Sequence, residues 1–134
     1  MSNRFKFKCF NKLQNKMYEV RSISYYQGDV KRIGVDDNGK ILIFDEYENN
    51  IDNTILMQCT GLKDKNDKLI YEGDVVIEHY YNTKETAIKK VFFDEKVIGF
   101  AYTDGIEYNQ LSITDSDRLQ VIGNIYEKEE LLNE

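Results

Sequence analysis

Polar and apolar residues alternate at a period of two through much of the chain. The strictest stretch is Arg4-Phe5-Lys6-Phe7-Lys8-Cys9. It sets Phe5, Phe7 and Cys9 on one face and the cations on the other, the pattern of a half-buried strand with its rings turned toward a core. Residues 17–26 are rich in β-branched and aromatic side chains and stop at Gly28-Asp29, which predicts a second strand. Residues 30–35 and 40–44 flank Asp36-Asp37-Asn38-Gly39, and Asn-Gly accepts the positive φ angles of a type I′ turn, so this segment predicts a hairpin.

Residues 45–53 read as a polar loop, 55–60 as a buried strand closed by Gly61, and 63–68 as a solvated turn. Leu69-Ile70-Tyr71 leads through Glu72-Gly73-Asp74 into a strand over 75–80. Residues 86–93 and 97–102 predict a further hairpin around Asp94-Glu95-Lys96, and 106–113 and 119–126 complete the strands. Helix is expected only over 128–132, where acids stand near the positive end of a first turn. Many short strands at regular spacing predict an all-β domain, a barrel or a small sandwich.

Length changes little in this picture: 134 residues fit one domain, taken as residues 1–134. The chain has no Pro, so Gly and Asx residues must make its turns. Its net charge is −6, yet residues 1–16 hold Arg4, Lys6, Lys8, Lys12 and Lys16 with no acid. Behind Met1-Ser2-Asn3-Arg4 there is no hydrophobic segment of the signal-peptide kind, and no apolar stretch has the length of a membrane span. The expectation is a cytoplasmic protein in which Cys9 and Cys59 are buried and reduced.

Candidate chemistry is sparse. His79 stands alone in an alternating strand, with no nucleophile motif beside it. Zinc requires clustered Cys and His, and the three such residues are scattered. The run Asp36-Asp37-Asn38-Gly39 lacks the closing Glu of a calcium loop, and Gly34 and Gly39 lack the strand–GxxxxGK–helix setting of a phosphate loop. Asp45, Glu46, Glu48 and Asp52 read as a solvated acidic loop. The expectation is a protein with no catalytic residues, no metal and no cofactor. One binding alternative stays open: Arg4, Lys6 and Lys8 could track a nucleic-acid backbone. Lysines on an exposed strand also guard against edge-to-edge association, which is reason enough for them.

Three blocks together resemble the YopX family of small bacteriophage and prophage proteins. The strongest is residues 56–76, Leu-Met-Gln-Cys-Thr-Gly-Leu-Lys-Asp-Lys-Asn-Asp-Lys-Leu-Ile-Tyr-Glu-Gly-Asp-Val-Val. The second is Val121-Ile122-Gly123-Asn124-Ile125-Tyr126-Glu127 with Glu130-Leu131-Leu132. The third, looser, is Phe7-Lys8-Cys9-Phe10-Asn11 with Met17-Tyr18. Cys59, Asp67, Phe10, Asn11 and Glu129 depart from the family pattern. The resemblance implies a phage or prophage origin, action in the cytoplasm of a bacterial host, and an SH3-like barrel with additional strands and a short C-terminal helix. It implies no catalytic activity.

Within these blocks Gly61, Asp64, Tyr71, Gly73, Asp74, Gly123 and Asn124 are the candidate interaction residues. Glycine suits backbone positions closed to other residues, and Asx side chains satisfy neighbouring N–H groups, so each also has a structural explanation. Two functions follow. One is an accessory protein acting by protein–protein contact, with itself or with a host or phage partner, for which the ten tyrosines supply interface area. The other is a nucleic-acid-associated barrel using the basic N-terminal strand.

Overall fold

The turn signals of the sequence become strand pairings. A computed structural model describes residues 5–47 and 51–127, and the chain divides into two compact units, residues 6–57 and residues 58–134 with 1–5.

In the first unit β1 (Phe7–Asn11), β2 (Lys16–Tyr26), β3 (Asp29–Asp37) and β4 (Lys40–Asp45) form an antiparallel sheet in the order β4-β3-β2-β1. The opening residues of β5 (Thr54–Lys63) also belong to this unit. The Asn-Gly turn forms as predicted: Asn38 and Gly39 have φ of 53° and 87°, and Asp37 pairs with Lys40. Cys9, Tyr18, Ile33, Val35 and Phe44 make the core, with the Tyr18 ring edge-on to Phe44. Asn11, at the end of β1, donates to Thr54 Oγ1 at 3.1 Å.

The N-terminal strand differs from its expectation. It begins at Phe7, buries both Cys9 and Phe10, and leaves Phe5 64% exposed, so Phe5 is not a core residue. Consecutive buried residues show that both faces of β1 are covered, a pattern that alternation alone does not reveal.

The second unit contains the rest of β5, then β6 (Leu69–Tyr71), β7 (Asp74–His79), β8 (Thr86–Asp94), β9 (Gly99–Thr103), β10 (Tyr108–Gln110) and β11 (Leu119–Asn124). β5 pairs with β6, and the last five strands form an antiparallel sheet in the order β10-β9-β8-β7-β11. Its core is Ile70, Val76, Val91, Tyr102 and Leu119, with Leu111 and Val121 against it. The fold is all-β. The five-stranded sheet is open, with β10 and β11 as its edges, so the closed SH3-like barrel implied by the resemblance is not observed.

Two predicted strands are shorter than their patterns. Val97 and Ile98 lie in the β8–β9 turn, and β10 keeps only three of the eight residues from 106 to 113. The second loss has a local cause. The Asp104 carboxylate accepts the N–H groups of Ile106 and Glu107, and Gly105 takes a φ of 97°. This Asx turn removes residues 104–107 from the ladder. The helix expected over 128–132 lies outside the described residues. Among the described residues no helix is long and apolar enough to cross a membrane.

Candidate functional site

The motif residues are drawn inward. The β5–β6 turn, expected to be solvated, folds around a buried Asp64 that is 6% exposed. Its Oδ1 accepts the N–H groups of Asn66 and Lys68, and its Oδ2 accepts Val121 N–H of β11 at 2.8 Å. Asp74 Oδ2 accepts Tyr71 N–H at 2.7 Å. Between them Gly73 has a φ of 87°, donates to Val91 O and accepts from Ile125 N–H. Gly61 shares that φ of 87°.

Asn124 Oδ1 accepts Tyr126 and Glu127 N–H, and its amide donates to Glu127 Oε1. Gly123 lies at a register shift in β11. Asp64, Tyr71, Asp74 and Asn124 are all buried, and the side chains of Asp64, Asp74 and Asn124 accept backbone N–H groups within the second unit.

A constellation not foreseen from the sequence lies in the same unit. The core-facing positions of β7 and β8 carry Val76 then Glu78, and Lys89 then Val91. Glu78 and Lys89 are 2% and 0% exposed. Lys89 Nζ donates to Glu78 Oε1 at 2.8 Å, and the Tyr102 hydroxyl donates to Glu78 Oε2 at 2.9 Å. Lys89 also reaches Asn109 Oδ1 at 3.1 Å and Glu107 Oε2 at 3.4 Å, with its ammonium 5.1 Å from the Tyr102 ring centroid.

Arg118 extends the network outward. Its Nη1 lies 3.7 Å from Glu78 Oε2, its Nη2 donates to Asp115, and its guanidinium covers the Tyr81 ring at 5.0 Å. The Tyr81 hydroxyl in turn donates to Asp117 Oδ1 at 3.2 Å.

Burial opposes a charge on Lys89, but the hydrogen bond and the negative charge of Glu78 outweigh it, so the ammonium holds its proton more tightly than an ordinary lysine. Burial, and then the bond to Glu78, push the Tyr102 phenol up. The sequence carried a trace of the site: Glu78 has the parity of Val76, and Lys89 that of Val91, in segments read as strands.

This network ties together loops at one end of the sheet. β7 and β9 finish there and β8, β10 and β11 start there, as their antiparallel registers require. Three segments meet the network: residues 80–85 through Tyr81, 104–107 through Glu107, and 112–118 through Asp115 and Arg118. They expose large apolar side chains: Tyr81 is 62%, Ile106 89% and Ile113 76% exposed.

The other candidates are dispersed. His79 ends β7, with Nε2 3.4 Å from Gln120 Oε1. Lys6 is exposed and Lys8 half-buried opposite Glu19, while Arg4 lies outside the described residues. Both cysteines are buried thiols; burial pushes Cys9 up to about 12. Among the described residues no group of three or more His, Cys, Asp or Glu is placed to hold a metal ion.

Comparison with known proteins agrees with the residues of the two strongest blocks. The family described as YopX protein matches residues 6–133. The chain is similar to the crystal structure of protein EF1440 from Enterococcus faecalis, with 26% identity and a TM-score of 0.65 over 95% of this chain and 96% of that one. It is also similar to the X-ray structure of protein yopX from Bacillus subtilis, with 18% identity and a TM-score of 0.68 over 98% of this chain and 97% of that one, a likeness of fold. No curated protein matches the sequence.

Proposed function

The chain belongs to the YopX family, and from that premise we propose that it works by protein–protein contact through the loop end of its five-stranded sheet. The observation that carries this reading is the exposure of Tyr81, Ile106 and Ile113 on three loops bound to one buried network. Large apolar side chains grouped on a fixed frame are what an interface core requires. Loops positioned by a rigid scaffold are also where binding residues concentrate. The setting proposed is the one the resemblance implies: a phage or prophage accessory protein in the cytoplasm of a bacterial host, without catalysis.

Affinity purification from bacterial lysate treated with nuclease tests the reading, using the intact chain and Ile106→Ser/Ile113→Ser. A protein partner, or further copies of the chain, should survive nuclease with the former and be lost with the latter. Equal retention by both would remove the loop end from the account.

A second reading has one observation in its favour. Phe5 is 64% exposed and stands next in the sequence to Lys6, which is also exposed, so a ring and a cation are available for a nucleic-acid strand. Recovery that depends on nucleic acid and is abolished by Lys6→Glu/Lys8→Glu would favour it over protein contact.

A further inference from the structure

We infer that the partner presents a segment that is both cationic and apolar to the loop end of the second unit; this rests on the protein-contact reading above and specifies its chemistry. The loops carry Glu85, Asp104, Glu107, Asp115 and Asp117 against Lys84 and Arg118. Arg118 is paired with Asp115 beside Glu78 and Tyr81, which leaves the exposed Glu85, Asp104, Glu107 and Asp117 against the exposed Lys84 on these loops. Tyr81, Ile106 and Ile113 are exposed on these loops, the Glu107 side chain next in sequence to Ile106 is 62% exposed, and Asp117 accepts the Tyr81 hydroxyl.

Apolar groups set among acids match a partner strand or helix that alternates lysine or arginine with apolar residues. The whole chain, at −6, steers such a segment inward and repels both a polyanion and a second copy at long range. The buried Glu78–Lys89–Tyr102 network holds the loops in place before binding, which lowers the ordering cost of association.

The test uses fluorescence anisotropy with three labelled peptides on the intact chain: alternating lysine and leucine, alternating glutamate and leucine, and oligolysine. The lysine–leucine peptide should bind, and binding should weaken about tenfold between 50 and 300 mM salt as the charges are screened. The glutamate–leucine peptide and oligolysine should bind at least about tenfold more weakly, since each lacks one half of the match.

Glu85→Gln/Asp117→Asn and Ile106→Ser/Ile113→Ser should each weaken binding without moving the melting temperature. Failure of the lysine–leucine peptide to bind, equal binding of either control peptide, or indifference to the acid variants overturns the inference. So does self-association by light scattering that Ile106→Ser/Ile113→Ser abolishes, although protein contact would then stand. If Ile106→Ser/Ile113→Ser leaves the recovery of every protein partner unchanged, the protein-contact reading falls as well.

Discussion

Lys89 of β8 and Glu78 of β7 form an ion pair at 2.8 Å on the packed face of the sheet, with 1% and 3% of their side chains exposed. Two charges taken out of water cost several kcal/mol each unless every lone pair and proton is matched. Here Tyr102, Asn109, Glu107 and Arg118 supply the remaining matches. The pair therefore fixes the relation of β7, β8, β9 and the β9–β10 loop within the second unit. That relation in turn positions Ile106 and Tyr81.

Removing one member should be costly while removing both should not. Lys89→Met leaves Glu78 buried without its main cation and should destabilise by about 3 kcal/mol, whereas Glu78→Leu/Lys89→Met should recover most of that loss. Urea denaturation of the three proteins decides it; equal stability of Lys89→Met and the unsubstituted chain contradicts the account.

The same pair sets a pH limit. Lys89 and Tyr102 are both raised in the folded protein, from ordinary values of 10.5 and 10.0. A raised group contributes stability that is complete below its unfolded value and is lost as pH rises through its folded value. Stability should thus fall above about pH 10, and Tyr102→Phe should reduce the steepness of that fall. Melting temperatures from pH 8 to 12 measure it, and a flat profile would show that neither group is coupled to folding.

Gly73 is held at a φ of 87° with both of its backbone groups bonded, to Val91 and to Ile125. A β-branched side chain there meets backbone strain on the order of 1–3 kcal/mol. Gly73→Val should lower the melting temperature markedly, and Gly73→Asn, which tolerates this conformation better, should lower it less.

Ile98 shows the opposite arrangement: a β-branched residue with a φ of 51° and 81% exposure at the tip of the β8–β9 turn. Ile98→Asn should raise stability by about 1 kcal/mol, measured by thermal melting; a loss of stability would mean that the side chain is supported within the fold.

Much of the strand plan was legible, and its failures have physical causes. Asn38-Gly39 announced its turn because only a few residues take positive φ. Residues 63 and 65–68 are exposed as read, but composition does not reveal that Asp64 turns inward to reach Val121, 57 positions away. The Glu78–Lys89 pair was missed for a related reason. Period-two patterning shows which face a residue occupies, but an ion pair forms only once β7 and β8 are in register. Phe5 failed differently, since the strand that was to bury it begins two residues later, at Phe7.

The central claim is that binding occurs at the loop end of the five-stranded sheet. Hydrogen–deuterium exchange of the intact chain, alone and with the partner recovered after nuclease treatment, tests it most directly. The account predicts increased amide protection over residues 80–85, 104–107 and 112–118, with residues 5–11 unchanged. Protection confined to residues 5–11, with the three loops exchanging as before, would contradict it.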